Sequence, residues 1–342
     1  MTAPKLIPCL IALTLSSCSV DPSSAPDRFA VKVLTIAMFE IGDMTGDIPG
    51  EAQLWIERQD LAPKFEIPGA DGWLYCNDRA HCLALTQMGI ANSAATMMAV
   101  GLDPRLDLTR TYFIVAGIAG TPPSLASIGS AAWAEWVVEA DFSHSFDARE
   151  LPDGFEHAKF RFGCSEPWCE DRDPFGFEAF QLNKQLTARA YKLSKDIELA
   201  SSPETESYGR NYPAAPAHEK PVVTTCDSLA GSTFWHGKRS SEWATWWVDQ
   251  WTEHQGKYCM ANMEDSATLL SLKRLADAQR LDFNRIMVLR TTSNYDQPYP
   301  GQAITESLWS QPAVSRDLAV ENAYRVGMAV AEDILSNWTD WE

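Results

Sequence analysis

The sequence is short of basic residues. Its 342 residues include 28 Lys and Arg against 46 Asp and Glu, which gives a formal net charge of −18 at pH 7. A protein that binds nucleic acid neutralises phosphates with clustered Lys and Arg, and this chain contains no such cluster. The same deficit opposes binding to an anionic membrane surface. We therefore exclude nucleic-acid partners and polybasic membrane binding.

Long apolar runs and the common metal or nucleophile motifs are also missing. A membrane-spanning helix needs about 20 mostly apolar residues, and the best window beyond the N-terminus, residues 112–138, is broken by Pro122 and Pro123. There is neither an HExxH motif nor a GxSxG motif. Residues 231–238 (GSTFWHGK) depart from a phosphate loop, because five residues separate the glycines and Arg239 replaces the magnesium-binding hydroxyl. We predict no metal and no resident cofactor.

The N-terminus has the pattern of an export signal. Lys5 precedes a short apolar run at residues 7–15, and the following Leu-Ser-Ser-Cys resembles the lipobox of bacterial lipoproteins. This predicts a signal peptide at 1–17, lipidation of Cys18, a flexible tether at 18–30 and a folded domain at 31–342. An ordinary secretory signal cut nearby is the alternative. In both cases we expect an exported protein of the bacterial cell envelope, lipid-anchored and facing the periplasm or free in it, with membrane contact only through the lipid.

Six cysteines remain after Cys9 and Cys18 are set aside, and an even number in an oxidising compartment favours disulfides. Proximity in the chain favours two pairs and leaves a third, although six cysteines allow 15 pairings. A metal site made of Cys76, His81 and Cys82 is the rival interpretation, but its spacing matches no common zinc pattern. The predicted pairs are Cys76–Cys82, Cys164–Cys169 and Cys226–Cys259.

Strand and helix patterns alternate along the chain, which predicts a single α/β domain with a central mixed sheet flanked by helices. Residues 117–120 (GIAG) are expected to form a turn after the third strand, and 201–216 a surface excursion. The strands are predicted at 31–38, 82–88, 111–116, 131–140, 221–226 and 285–290. The helices are predicted at 91–100, 177–193, 240–251, 265–279 and 314–337.

Three fragments, taken in order, resemble the nucleoside phosphorylase and nucleosidase superfamily. Residues 115–120 (VAGIAG) resemble its strand with a Gly-x-x-Gly element, and 263–264 (Met-Glu) opening a small-residue helix resemble its "MEG/MEA" element. Residues 290–294 (RTTSN) at a strand end resemble its "RAISD" sequence, and 33–38 its opening strand. Each fragment alone is weak, but their order and spacing together indicate this superfamily.

Within the superfamily, the sequence most resembles the purine nucleoside permease family, over about residues 31–310. The resemblance adds residues 38–40 (MFE), 45–47 (TGD) and 234–237 (FWHG) to the fragments above. It implies a nucleoside phosphorylase-like domain that recognises purine nucleosides. The family name implies transport. Because no segment after the N-terminus has the length and apolarity of a membrane span, we expect this chain to bind or process nucleosides.

Cleavage of a purine N-glycosidic bond requires a group that holds the ribose hydroxyls and a donor near N7 of the departing base. Glu264 at a helix start suits the first role, since a carboxylate accepts two hydroxyl bonds. Asn294 suits the second, because its amide both donates and accepts; here the sequence resembles purine phosphorylases, whereas nucleosidases have Asp. Asp296 is the alternative proton donor.

The nucleophile is either water or phosphate. Phosphorylases place Arg near the sugar, but the position before the GIAG element is Val115. Glu40, Asp43 and Glu51 crowd the first loop, which suits activation of a water, with Glu40 as a catalytic candidate. We favour water and keep phosphate as the alternative co-substrate. Four arginines could reverse this choice, and the sequence does not place them: Arg79, Arg110, Arg149 and Arg290.

Further ligand-binding candidates come from the matched motifs and from local chemistry. The indole of Trp235 can stack on a purine, and Asp227 could take a proton from the base or hold His236. The tryptophans at 243, 246, 247 and 251 have helical spacing and are interpreted as core or a subunit contact, which leaves a homo-oligomer open. The additional ligand-binding candidates are Met263, Gly117, Asp227, Trp235, His236, Glu51 and Tyr295.

Two functions are therefore expected from the sequence. The first is an enzyme that cleaves the glycosidic bond of purine nucleosides, as a nucleosidase or a purine nucleoside phosphorylase. The alternative is a non-catalytic nucleoside-binding lipoprotein that assists nucleoside uptake.

Overall fold

The computed structural model describes residues 28–169 and 173–342. The strands in these ranges are β1 (Phe29–Ala30), β2 (Val33–Ala37), β3 (Ala62–Glu66), β4 (Trp73–Cys76), β5 (His81–Leu85), β6 (Leu106–Asp107), β7 (Tyr112–Thr121), β8 (Ala131–Trp133), β9 (Trp136–Glu139), β10 (Ser143–Ser145), β11 (Lys159–Arg161), β12 (Ala179–Gln181), β13 (Val223–Thr225), β14 (Asp227–Ala230), β15 (Tyr258–Asn262) and β16 (Ile286–Tyr295). The α-helices are α1 (Gln53–Arg58), α2 (Ile90–Leu102), α3 (Lys184–Ser194), α4 (Pro203–Gly209), α5 (Lys238–Trp251), α6 (Asp265–Asp277), α7 (Ile304–Trp309) and α8 (Val314–Ser336).

A mixed sheet of twelve strands forms the centre of the domain. Its main path runs β12-β9-β14-β15-β7-β2-β5-β4-β3, and β16 pairs with both β7 and β8 while β13 pairs with β8. The strands β5, β2, β7 and β16 are parallel neighbours. Parallel strands end at the same edge of a sheet, so their carboxyl ends bring distant chain segments together. The predicted α/β fold with a central mixed sheet is confirmed.

Both faces of the central strands are buried, which explains their continuous apolar sequences. Side chains alternate between faces along a strand, so Leu34 and Ile36 of β2 pack in one core cluster while Val33 and Ala37 pack in another. Helices α2 and α6 cover the first face, and α8 covers the second. The first face is the one on which the candidate site forms.

The expected turn at 117–120 is wrong, because β7 continues through these residues to Thr121. The extended β7 pairs with β16 over its whole length, with Gly117 beside Arg290 and Gly120 beside Asn294. These glycines are needed for close approach to neighbouring side chains. They do not reverse the chain.

Two further segments depart from the prediction. The expected strand at 131–140 divides into β8 and β9, which pair with different strands. The expected helix at 177–193 begins with strand β12, and α3 starts only after Asn183, whose side chain accepts hydrogen bonds from the backbone N–H groups of Gln185 and Leu186. Asn at this position is a favoured N-cap, so the sequence contained a local signal for the later start.

The folded domain begins before residue 31. Phe29 and Ala30 form β1, which pairs with Leu106 and Asp107 of β6, so the expected tether does not extend to residue 30. The predicted signal peptide, the lipidation of Cys18 and most of the tether lie outside the described residues, and they stay predictions. Across residues 28–169 and 173–342, no helix has both the length and the apolarity needed to cross a membrane.

The three predicted disulfides are present in the structure: Cys76–Cys82, Cys164–Cys169 and Cys226–Cys259. The first links the adjacent strands β4 and β5, where Cys76 and Cys82 are directly paired. His81 beside them is fully buried, and its Nε2 lies 2.9 Å from the Thr35 hydroxyl. The thiols and this ring nitrogen of the rival metal site are therefore engaged in other bonds.

Candidate functional site

A cavity of about 220 Å³ lies over the carboxyl ends of β2, β7 and β16, on the face covered by α6. Its size suits a small molecule. The position is the one expected for ligands in α/β proteins, outside the carboxyl edge of parallel strands. Its lining combines apolar side chains with buried ionisable groups: Met38, Phe39, Glu51, Met88, Ile118, Ala119, Gly120, Thr233, Phe234, Trp235, Ala261, Asn262, Met263, Glu264, Arg290, Ser293, Asn294 and Asp296.

Glu51 is a buried carboxylate just before α1. Its oxygens accept hydrogen bonds from the backbone N–H groups of Met38, at 2.8 Å, and Ile118, at 2.7 Å. Burial raises the pKa of Glu51 to about 7, and the nearby Glu264 raises it further, while Arg290 and the two N–H groups oppose the rise. A carboxylate with a pKa near neutrality is suited to accept a proton from water.

Arg290 is fully buried beneath the cavity because the alternation of β16 points it toward α6. Its guanidinium binds Asp265, with Nη2 at 2.6 Å from Oδ1, and also contacts Glu264 Oε2 at 3.2 Å and the carbonyl oxygen of Ile118 at 3.0 Å. Burial lowers the pKa of Arg290, but Asp265, Glu264 and Glu51 outweigh it and raise the pKa above its ordinary value. The residue is a fixed positive charge.

Gly117 leaves the space that this guanidinium occupies. A Cβ atom at this position would lie 2.5 Å from Arg290 Nη1 and 2.7 Å from Glu51 Oε1. Both distances are well below van der Waals contact, so a side chain at residue 117 would displace the network.

Glu264 and Asp265 lie next to each other at the start of α6 but have different surroundings. Asp265 is completely buried and accepts from Ser228 Oγ at 2.7 Å and Asn262 Nδ2 at 2.9 Å, in addition to Arg290. Glu264 lines the cavity, accepting from the Gly89 N–H on Oε1 and from the Met263 N–H on Oε2. Oε1 keeps a free lone pair with which it can accept a ligand hydroxyl.

A β-bulge places the polar residues at the other end of the cavity. The register of β16 against β7 shifts between Thr292 and Asn294, and a bulge redirects the side chains that follow it. Ser293 and Asn294 consequently both line the cavity. Asn294 Oδ1 accepts from Ser293 Oγ at 3.0 Å, and its Nδ2 donates to the carbonyl oxygen of Tyr295 at 3.1 Å.

Asp296 also lines the cavity and is 1% exposed. Its Oδ2 accepts from Ser241 Oγ at 2.8 Å and Tyr258 OH at 3.0 Å. Its Oδ1 is buried without a hydrogen-bond partner among the described residues. Burial raises the pKa of Asp296 to about 7, although the two hydroxyls lower it.

Seven of the predicted site residues meet here. Six line the cavity: Asn294, Glu264, Asp296, Met263, Trp235 and Glu51. Gly117 lies directly beneath it, beside Arg290 and Glu51.

Four predicted residues do not line the cavity. Glu40 accepts from the backbone N–H groups of Gly50, Ala52 and Gln53, so it closes the first loop onto the start of α1. Asp227 accepts from the N–H groups of Glu135, Trp136 and Lys257, which fixes the sheet where β8 and β9 divide.

His236 Nε2 contacts Ser307 Oγ at 2.9 Å, away from Asp227. Tyr295 is buried against Tyr208 and Tyr212.

Arg290 and Asp265 form the central part of this site, and the sequence patterns above assign neither of them a role. A signal for both was available, because a charged residue on the buried face of an apolar strand requires a buried partner. Two tryptophans of α5, Trp243 and Trp247, lie in the core, as predicted. They pack with Val138 and Leu229.

The comparisons with solved structures define the class of fold. A 5′-methylthioadenosine/S-adenosylhomocysteine nucleosidase from Helicobacter pylori aligns with a TM-score of 0.53 at 14% identity, covering 88% of this chain and 99% of that one. The futalosine hydrolase of the same organism aligns with a TM-score of 0.53 at 15% identity, covering 88% and 98%. This protein has the fold of the nucleosidases.

The family follows from the sequence comparisons. Residues 30–342 match the family model described as purine nucleoside permease (NUP), so the chain belongs to the purine nucleoside permease family. A probable purine nucleoside permease of Schizosaccharomyces pombe is 27% identical, covering 97% of this chain and 98% of the relative. A purine nucleoside permease of Candida albicans is also 27% identical, covering 90% and 75%. The family expected from the motifs is confirmed.

Proposed function

We propose that this protein hydrolyses the N-glycosidic bond of purine nucleosides, with Glu51 as the general base and Glu264 holding the ribose hydroxyls. The observation that supports this most is the set of three buried carboxyl groups around the single guanidinium of Arg290 at the floor of the cavity. Glycosidic cleavage passes through a sugar with growing positive charge, and fixed negative charge stabilises such a transition state.

Glu51 is held in place by backbone hydrogen bonds and can still accept a further hydrogen bond at each oxygen. Each of its oxygens accepts one backbone N–H bond, which leaves lone pairs for a water on the cavity side. With its pKa near 7, it is ionised in a large fraction of molecules at neutral pH. On water attack at C1′, it takes up a proton as the bond to the base breaks.

The charges of the site favour water over phosphate. Phosphate is strongly anionic and needs unneutralised cations. Arg79, Arg110 and Arg149 pair with Glu332, Glu342 and Asp147, and Arg290 is bound by Asp265 and Glu264. Because these four arginines are already paired with acidic side chains, we propose hydrolysis without phosphate or a cofactor.

The preference for purines rests on the family and on the base end of the cavity. The relatives are described as purine nucleoside permeases, and the nucleosidase of similar fold acts on 5′-methylthioadenosine and S-adenosylhomocysteine. In this chain Asn294 offers one free amide N–H and an amide oxygen to the edge of a base. Phe234 and Trp235 line the same cavity and can stack on a purine. We further propose that the hydrolysis of purine nucleosides takes place after export, in the cell envelope.

The test is incubation of the purified protein with inosine and with adenosine, each with and without phosphate, followed by chromatography of the base and the sugar. Release of free base and ribose at equal rates in both conditions supports the proposal. Formation of ribose 1-phosphate only with phosphate would replace it by phosphorolysis. Nucleoside binding by calorimetry without cleavage would replace it by the nucleoside-binding alternative.

A further inference from the structure

A second cavity, of about 300 Å³, lies next to the base end of the first one. Thr233 and Trp235 line both cavities and form the boundary between them. Trp235 belongs to the base end, because its ring lies 6.2 Å from that of Tyr258, whose hydroxyl contacts Asp296. Thr233 is exposed and Trp235 is only partly buried. A ligand in the first cavity can therefore extend past these two side chains into the second.

The size of the two cavities favours a ligand larger than an unsubstituted nucleoside. Sites for drug-sized ligands commonly have volumes of about 300–1,000 Å³. The first cavity alone, at about 220 Å³, suits a smaller molecule, whereas the two cavities together fall within this range.

The second cavity combines apolar surface with basic groups. The hairpin of β10 and β11 forms one wall, and the start of α5 forms the other. Leu151 and Trp243 supply apolar surface, and Lys159 and Arg239 supply positive charge. Among the described residues, Glu156 is the acidic side chain in this lining, and it is exposed to solvent. In a chain with a net charge of −18, this lining is suited to a ligand with an apolar part and an anionic group.

Arg239 is the basic group of this cavity that is free to bind an anion. Within the part of the chain that the structure describes, its guanidinium has neither an ion pair nor a hydrogen bond. It lies in the first turn of α5, which has no side-chain cap and no acidic residue, so the N–H groups of that turn add positive potential. The neighbouring Lys238 pairs with Glu242 at 3.7 Å and lines a different groove. Arg239 is therefore available to a carboxylate, which a guanidinium can bind through two hydrogen bonds.

Lys159 provides a second donor in a fixed position. Its Nζ donates to the carbonyl oxygen of Ala140 at 3.2 Å and to Asp141 Oδ1 at 3.1 Å. An ammonium group has three N–H bonds, so one remains for a ligand. Asp141 Oδ2 also accepts from the Ser232 N–H at 2.6 Å, which ties this wall to the segment that separates the two cavities.

We propose that the preferred ligand is an adenosine derivative whose exocyclic nitrogen, N6, carries a carboxylate-bearing substituent, and that Arg239 and Lys159 bind this carboxylate in the second cavity. The inference rests on the proposed hydrolysis and names its substrate class. A purine is joined to its sugar through the five-membered ring, so with the sugar at Glu264 the six-membered ring points toward Trp235. N6 is the exocyclic nitrogen of that ring, and a substituent on it enters the second cavity. The nearby Glu156 opposes a dianionic phosphate more than a carboxylate.

The test compares adenosine, N6-(3-carboxypropyl)adenosine and the corresponding amide, N6-(3-carbamoylpropyl)adenosine. The two substituted compounds have the same size and differ in charge, so the ratio of their kcat/KM values measures recognition of the carboxylate alone. For wild type this ratio should be about 10 or more, the effect of one charge-assisted hydrogen bond. The carboxylate compound should also be hydrolysed more efficiently than adenosine. Raising the salt concentration to about 1 M should lower the ratio, because salt screens exposed charges.

Arg239→Gln is the decisive variant, and Lys238→Gln is its matched control. Arg239 is exposed, so its replacement should leave the fold intact, and the carboxylate-to-amide ratio should fall by about tenfold. Lys238→Gln removes the same charge from the adjacent residue, outside the second cavity, and should keep the wild-type ratio. Equal falls in both variants would show only a long-range effect of net charge and would overturn the inference. A wild-type ratio near one, or a preference for adenosine, would overturn it while the proposed hydrolysis stands.

Binding measurements separate a failure of this inference from a failure of the proposed function. Calorimetry gives the same carboxylate-to-amide ratio from the Kd values, without any cleavage. If wild type cleaves none of the three compounds but binds the carboxylate compound more tightly, and Arg239→Gln removes this preference, the hydrolysis is wrong and the substituent site stands. If there is no cleavage and the two Kd values are equal, both proposals are wrong.

Discussion

The two ends of the cavity differ in charge and in how completely their polar atoms are hydrogen-bonded. At the sugar end, Glu51, Glu264 and Asp265 surround Arg290, and every side-chain oxygen of the three acids has a partner. At the base end, Asn294, Ser241, Tyr258 and Asp296 are neutral or weakly acidic, and Asp296 Oδ1 has no partner among the described residues. Every carboxylate oxygen at the charged end has at least one hydrogen-bond donor, whereas one carboxyl oxygen at the other end has none among the described residues.

Under the proposed function, this difference corresponds to the two charges that develop when a glycosidic bond breaks. Positive charge on the sugar is stabilised by carboxylates that are already oriented, which costs no reorganisation during the reaction. Negative charge on the departing base is either neutralised by a proton or stabilised by hydrogen-bond donors. Burial raises the pKa of both Glu51 and Asp296 to about 7, but their hydrogen-bond donors differ: backbone N–H groups at Glu51 and side-chain hydroxyls at Asp296.

The largest expected effect is that of Glu51→Gln. An amide cannot accept the proton of the attacking water, so kcat should fall by about 10²–10⁴-fold. The loss should be similar for inosine and 4-nitrophenyl riboside, because water activation does not depend on the leaving group. Steady-state kinetics on both substrates measure it, with nucleoside binding by calorimetry as the control. A loss confined to inosine would mean that Glu51 acts at the base end.

Glu264→Gln should have a smaller effect at the same end. The amide keeps the shape but replaces a charged acceptor of ribose hydroxyls, each such bond being worth about 1.5–3 kcal/mol. Because the bonds strengthen as the sugar becomes positive, the loss should appear in kcat as well as in KM. Kinetics with ribosides and 2′-deoxyribosides check this, and the variant should discriminate between them less than wild type. Undiminished turnover would remove the sugar role.

Gly117→Ala and Gly120→Ala should separate the two ends by stability. The new Cβ at 117 would lie 2.5 Å from Arg290 Nη1 and 2.7 Å from Glu51 Oε1, in a network that cannot move freely. We expect a loss of about 1–3 kcal/mol in unfolding free energy together with lost activity. At 120 the Cβ meets only the Asn294 amide, at 3.0 Å, and the loss should be smaller. Urea unfolding measures both, and equal losses would contradict the comparison.

The smallest effect is a pH-dependent gain of stability in Asp296→Asn. The wild-type pKa is raised by burial from 3.8 to about 7, so the unfolded state ionises first. The stability that this group contributes is complete below pH 3.8 and is lost as the pH rises through about 7. The variant lacks this loss, so its unfolding free energy relative to wild type should increase by about 1–2 kcal/mol between pH 6 and pH 8. A difference that does not change with pH would show that Asp296 is not an abnormal acid.

Local patterns in the sequence were sufficient for the framework of the protein. Continuous apolar runs identified β2 and the first halves of β7 and β16, and helical patterns identified α6 and α8. Short spacing between cysteines selected two disulfides and left the third. The ordered motifs indicated the family before the comparisons did. These features depend on neighbours a few residues apart, which the sequence states directly.

Tertiary structure alone decided which acidic residues form the site. Glu40 and Glu51 lie in the same acidic loop, and only the packing of α1 turns Glu40 onto the backbone of its own loop and Glu51 into the cavity. The bulge in β16 and the pairing of Arg290 with Asp265 likewise depend on segments far apart in the chain. Burial, charge pairing and the unpartnered Asp296 Oδ1 arise only when these segments meet. Because pKa values and orientations depend on those surroundings, the sequence determined the kind of site and the fold determined its chemistry.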